Sequence, residues 1–192
     1  ATFFTFFKGE AALEAMRLSA AFFGKGQFQS QKMEKSGSTY IMSSTLYGPY
    51  FQPLPKRKIP RDTDAWTKLA KTGRRESEVQ QLQTKVQITP DSGKATVRIS
   101  VAGPENLPVT LELGFRTGGS FENAVQKSDM PGAWIIKNGE FAVYTLGPDS
   151  IRIGPGVREH RWTQLRGALP KLAGDCLYFT MYAPCEFEFT IE

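Results

Sequence analysis

The chain has little of what most catalytic centres are built from. Its 192 residues include one histidine, His160, and two cysteines, Cys176 and Cys185. A single histidine excludes a multi-histidine metal site and the H-E-x-x-H pattern of zinc peptidases. Any Ser-His-Asp or Cys-His arrangement would have to use His160, and the sequence holds no G-x-S-x-G elbow. No apolar run approaches the roughly 20 residues of a membrane-spanning helix. The glycines of "FFGKGQF" are too few for a phosphate-cradling Walker loop, and no helix pattern follows them. There is no internal repeat, and no RNA-recognition or OB-type aromatic pattern. Glu112 and Glu122 can be drawn as a glycosidase pair, but a chain with 19 carboxylates always permits such a drawing. The sequence implies no metal, no cofactor and no catalytic set.

What is present is alternation. In "QLQTKVQI", Leu82, Thr84, Val86 and Ile88 face one way and the intervening Gln and Lys residues the other. "KATVRISV" repeats the pattern through Ala95, Val97, Ile99 and Val101, and "VTLELGF" through Val109, Leu111, Leu113 and Phe115. Short Gly/Pro/Asn/Asp turns join these runs, so they predict antiparallel strands with one buried face. Asn138–Gly139 predicts a tight hairpin between Ile135–Ile136 and Phe141–Val143. Phe187, Phe189 and Ile191 point inward in the last strand. The fold class is therefore all-β: an antiparallel β-sandwich, jelly-roll-like, formed by residues 1–192 as one domain. Cys176 and Cys185 flank the turn near Pro184. At about 3.3 Å per residue, hairpin geometry places them beyond disulfide reach, as two free thiols.

Two regions depart from this pattern. "GEAALEAMRLSAAFF", residues 9–23, has helix-forming composition but leads straight into an aromatic cluster, so a helix and a strand are both open. Residues 49–78 are expected to leave the sandwich as a long Pro-rich basic loop with a short helix at "DTDAWTKLAKTG". That loop concentrates the charge. From Lys56 to Arg75 there are eight basic residues (Lys56, Arg57, Lys58, Arg61, Lys68, Lys71, Arg74, Arg75) and two acidic ones (Asp62, Asp64), 8 − 2 = +6. The whole chain is +5, so the remainder is 5 − 6 = −1. Such a segment suits an anionic partner, or acidic groups of an adjoining domain; an ordinary solvated loop gives the same composition.

The second candidate is "REHRWTQLRGALPK", Arg158 to Lys171. Trp162 offers a flat apolar face, and Arg158, Arg161 and Arg166 offer planar donor forks for carboxylate or sulfate. His160 reads as a hydrogen-bonding member of this group rather than a general base. Together with Lys56, Arg57, Lys58 and Tyr50, these are the expected ligand-binding residues. Arg116 followed by Gly118–Gly119 reads first as an ordinary glycine turn, and otherwise as a loop shaped for close approach to a ligand.

At "FRTGG", "SIRIGPG", "HRWTQLRGALP" and "LYFTMYAPCEFEFTI" the chain resembles the C-terminal β-sandwich domain of bacterial heparinase II/III-like proteins. These are polysaccharide-degrading enzymes built as an α/α toroid followed by β-sheets. The resemblance covers residues 80–192 and implies an accessory sandwich without its catalytic partner; no catalytic residue carries over. The expected function is a non-catalytic domain that binds acidic polysaccharide, or docks to an adjoining catalytic domain, for a polysaccharide-processing protein. A secreted or periplasmic setting is favoured. A chain starting at Ala1 without Met reads as a processed product or excised fragment. One alternative is a stand-alone lyase or hydrolase using His160 and Tyr47 or Tyr50 with Arg161. Another is a jelly-roll assembly protein whose basic segment contacts nucleic acid.

Overall fold

The computed structural model describes residues 1–55 and 74–192. Among them there is no helix, and the strands form two stacked sheets, the all-β sandwich that the alternating runs demand. In chain order the strands are β1 (Phe6–Lys8), β2 (Ala11–Ala20), β3 (Lys32–Ser36), β4 (Thr39–Phe51), β5 (Glu76–Asp91), β6 (Lys94–Ala102) and β7 (Leu107–Phe115). They continue as β8 (Ser120–Glu122), β9 (Ala124–Gln126), β10 (Ala133–Ile136), β11 (Ala142–Leu146), β12 (Asp149–Gly154), β13 (Cys176–Ala183) and β14 (Cys185–Ile191). One sheet has six strands in the order β1-β2-β7-β13-β10-β9; the other has eight, β3-β4-β5-β6-β14-β12-β11-β8. Neighbours are antiparallel except β10 and β13, which run parallel.

The core lies between the sheets. Leu13, Met16, Leu18, Leu111, Leu113 and Phe179 enter it from the six-stranded sheet, and Val86, Val97, Ile99 and Phe189 from the eight-stranded one. The β5–β6 turn is made by Ser92 and Gly93 with φ of 31° and 79°, the positive values a two-residue hairpin needs.

The ambiguous segment 9–23 contains strand β2 and no helix. Its Ala, Leu and Met residues pack on both faces, and β1 and β7 supply hydrogen-bonding partners on both sides. Pairing and burial override the helical preference of the composition. The Asn138–Gly139 hairpin does not form. Its turn closes, with Glu140 N–H donating to Lys137 O at 3.2 Å. The flanking strands then part into different sheets, β10 into the six-stranded and β11 into the eight-stranded one. Gly139 N–H instead donates to Gly156 O at 2.9 Å. The Pro184 corner behaves alike: β13 and β14 lie in opposite sheets, and Cys176 and Cys185 are free thiols.

The range 49–78 begins within β4 and ends within β5, which pair as far as Phe51 opposite Glu76. β5 meets β6 only from Gln83 onward, so its first half and the end of β4 form a two-stranded ribbon reaching past β6. The "DTDAWTKLAKTG" helix expectation and residues Lys56, Arg57 and Lys58 lie outside the described residues.

Candidate ligand-binding groove

Strands β2, β7 and β13 are buried on their outer face as well as their inner one, because residues 155–175, the connection from β12 to β13, lie across them as a strap. Thr110 and Glu112, which simple alternation assigns to solvent, are 1% and 8% exposed. Pairing aligns Arg17, Glu112 and Tyr178 in one row across the sheet, and Ser19, Thr110 and Thr180 in the next. The strap docks on these rows through hydrogen bonds. Arg17 pairs with Glu112 and donates to Pro170 O at 2.7 Å. The other Glu112 oxygen accepts from Tyr178 OH at 2.8 Å and Leu172 N–H at 3.1 Å. Thr110 donates to Trp162 O at 3.0 Å. Gly114 leaves room for Leu172: a Cβ there would stand 2.7 Å from its side chain. A polar cavity of about 10 Å³ remains between strap and sheet, lined by Arg17, Ser19, Thr110 and Glu112 among others.

His160 is one of the fastenings. It is 7% exposed, with Nε2 at 3.1 Å from Val109 O and 3.0 Å from Met181 O. Both partners are acceptors, so Nε2 carries the proton; Nδ1 then accepts from Trp162 N–H at 3.3 Å. This is the neutral tautomer with both nitrogens engaged. Burial pushes its pKa below the ordinary 6.5.

The side chains that flank His160 in sequence point the other way. Trp162 is 45% exposed, with its ring 5.3 Å from the His160 ring and 6.4 Å from that of Tyr182. Arg158 and Arg161 are exposed, and neither is in an ion pair among the described residues. They face two adjoining depressions that share Lys127, Asp129 and Arg161. One, of about 330 Å³, is also lined by Val125, Ile135 and Arg158; the other, of about 440 Å³, by Met130 and Trp162. Val125 and Ile135 are opposite each other on β9 and β10; Val125 is exposed and Ile135 is buried. Lys127 spans the junction, 3.4 Å from Asp129 and donating to Arg161 O at 3.2 Å.

The structure thus gathers Arg158, Arg161 and Trp162 at one groove and places His160 beneath it. Arg166 is exposed further along the strap, and Tyr50 packs on Phe23 at 5.1 Å. Sequence reading missed Lys127, Asp129, Val125 and Ile135. They come from β9, β10 and the turn between them, and only the parallel pairing of β10 with β13 brings them near the strap.

Comparison with protein-family models, curated proteins and solved structures found no match.

Other sequence candidates have internal roles. Gly119 approaches a side chain of the protein itself: a Cβ there would lie 2.4 Å from the Tyr144 ring. The Tyr144 hydroxyl accepts from Gly119 N–H and donates to Arg116 O, an ordinary glycine turn plugged from within. Glu112 is on the six-stranded sheet and Glu122 on the eight-stranded one, and Glu112 is held by Arg17. Burial raises both thiols, Cys176 and Cys185, to about 11. Among the described residues no cluster of three or more His, Cys, Asp or Glu could hold a metal, and no helix is long and apolar enough to cross a membrane.

Proposed function

We propose that this chain is a non-catalytic β-sandwich that holds an acidic polysaccharide in the β9–β10–strap groove, as an accessory part of a polysaccharide-processing protein. The observation that carries this reading is an exposed tryptophan flanked by two arginines with no carboxylate partner among the described residues. A sugar ring stacks on the indole face, and its carboxylate or sulfate accepts from a planar guanidinium. The groove is open along β9, an edge strand, so a polymer can pass through without presenting an end. The strings that resemble heparinase II/III-like proteins include most of the strap, which forms one wall of this groove.

His160 does not serve as a general base in this arrangement, because both ring nitrogens are bonded within the protein. In a gel containing polyuronate or sulfated glycan, the protein is expected to migrate more slowly than in a neutral-glycan gel. Trp162→Ala should weaken that retardation about tenfold, the scale of a central aromatic contact, with thermal stability retained. Equal migration in charged and neutral gels contradicts the proposal.

A further inference from the structure

The β4–β5 ribbon carries a second aromatic group that the groove does not use. Phe23, in the β2–β3 connection, is 40% exposed, and Tyr50 on β4 is 53% exposed. Their rings meet edge to face at 5.1 Å, and Phe23 packs in the same manner on buried Phe22 at 4.9 Å. Gly48 makes room for the Phe23 ring, since a Cβ at that position would lie 2.1 Å from it. Phe23 also holds φ at 49°, a left-handed conformation unfavourable for a bulky side chain. Packing on three sides therefore fixes an exposed phenyl against its backbone preference, and a ring held in advance loses little entropy when a ligand stacks on it.

The strap connects this ledge to the groove. Gly167 sits against Gly24, where a Cβ would come within 2.3 Å of backbone. Arg166 and Lys25 adjoin that contact; both are exposed and neither is in an ion pair among the described residues. Trp162 is four residues before Arg166 in the sequence, so their Cα atoms are at most about 14 Å apart. The ribbon's own acidic residues are Glu76 and Glu78, while the β4–β5 connection contains, by sequence, the eight basic residues from Lys56 to Arg75. An exposed ring beside Arg166 and Lys25 repeats the chemistry of Trp162 with Arg158 and Arg161.

We propose that the Phe23–Tyr50 ledge is a second subsite for the acidic polysaccharide, so that one chain is held at both ends of the strap. This rests on the function proposed for the groove. Engaging both subsites with one polymer makes the second contact intramolecular, and affinity then depends on ligand length.

The test is a calorimetric titration of the protein with uronate chains, from the shortest oligomer that binds up to the polymer. Phe23→Gly removes one ring while suiting the left-handed backbone, and Tyr50→Ala independently removes the other. Affinity is expected to rise steeply at the length that spans the strap. Both variants should weaken the polymer about tenfold or more, a fraction of the roughly 10²–10⁴ that linking two contacts can supply, and leave the shortest oligomer unchanged. Trp162→Ala should weaken both ligands. If Phe23→Gly and Tyr50→Ala bind polymer as the parent does while Trp162→Ala does not, the second subsite is overturned and the groove stands. If no uronate of any length binds, both are overturned.

Discussion

At His160 the imidazole is fully occupied by its own protein. Nε2–H serves two carbonyls from neighbouring strands, and Nδ1 turns the strap back by accepting from Trp162 N–H. Replacement by Ala removes the bond shared by two carbonyls and leaves Trp162 N–H without its acceptor; it should cost roughly 1–3 kcal/mol, measured by urea unfolding at pH 8. The pH dependence has a definite sign. The folded-state pKa lies below the ordinary 6.5, so between the two values the unfolded chain binds more protons. The contribution of His160 is fully present above about pH 6.5 and is lost as pH falls through the folded-state pKa. The parent should lose stability across that window more steeply than His160→Ala; equal slopes would show that the ring titrates freely. In the sequence, "REHRW" already placed arginine and tryptophan beside a histidine. It did not show which of them turn inward, because an irregular strap has no period from which to read a buried face.

Among the elements, legibility followed exposure. β6, β14 and the Leu82–Ile88 part of β5 have one wet face, and their period of two was readable there; the ends of β5 were not. β2 is buried on both faces, so alternation vanished and the Ala- and Leu-rich composition suggested a helix equally well. The Asn138–Gly139 signal was right about the turn and uninformative about partners: turn chemistry is local, while the split of β10 and β11 between sheets is set by the whole topology. The strap's polar underside had no sequence signature, since Arg17, Glu112 and Tyr178 meet only through strand register. That row now supports a prediction. Glu112→Ala strands the Arg17 guanidinium under the strap and removes the acceptor of Leu172 N–H and Tyr178 OH. The expected loss is roughly 3–5 kcal/mol, with faster amide exchange across 160–172. Replacing both partners, Arg17→Met with Glu112→Leu, should recover only part of it: the uncompensated charge is gone, but Leu172 N–H and Tyr178 OH still lack their acceptor. A single variant as stable as the parent would mean that water already reaches the pair.

For the whole molecule, the sandwich is a scaffold that presents cations along one irregular connection. The core accounts for the alternating strands, and the strap spans the outer face of one sheet from the groove beside β9 to the contact of Gly167 with Gly24. On this account the outer face of the six-stranded sheet divides into a covered part, closed by His160 and the Arg17–Glu112 pair, and an open part at exposed Val125 on the edge strand β9. A ligand should therefore perturb one continuous stretch of surface along the strap and reach the eight-stranded sheet only at the Tyr50 end of β4. The most direct measurement is an amide chemical-shift titration of the protein with a soluble polyuronate and, separately, with its uncharged methyl ester. The account predicts shifts at residues 125–130 and 158–166 with the polyuronate, strongest near Arg161 and Trp162, and none with the ester. Shifts of equal size with both ligands, or shifts confined to the eight-stranded sheet, would contradict it.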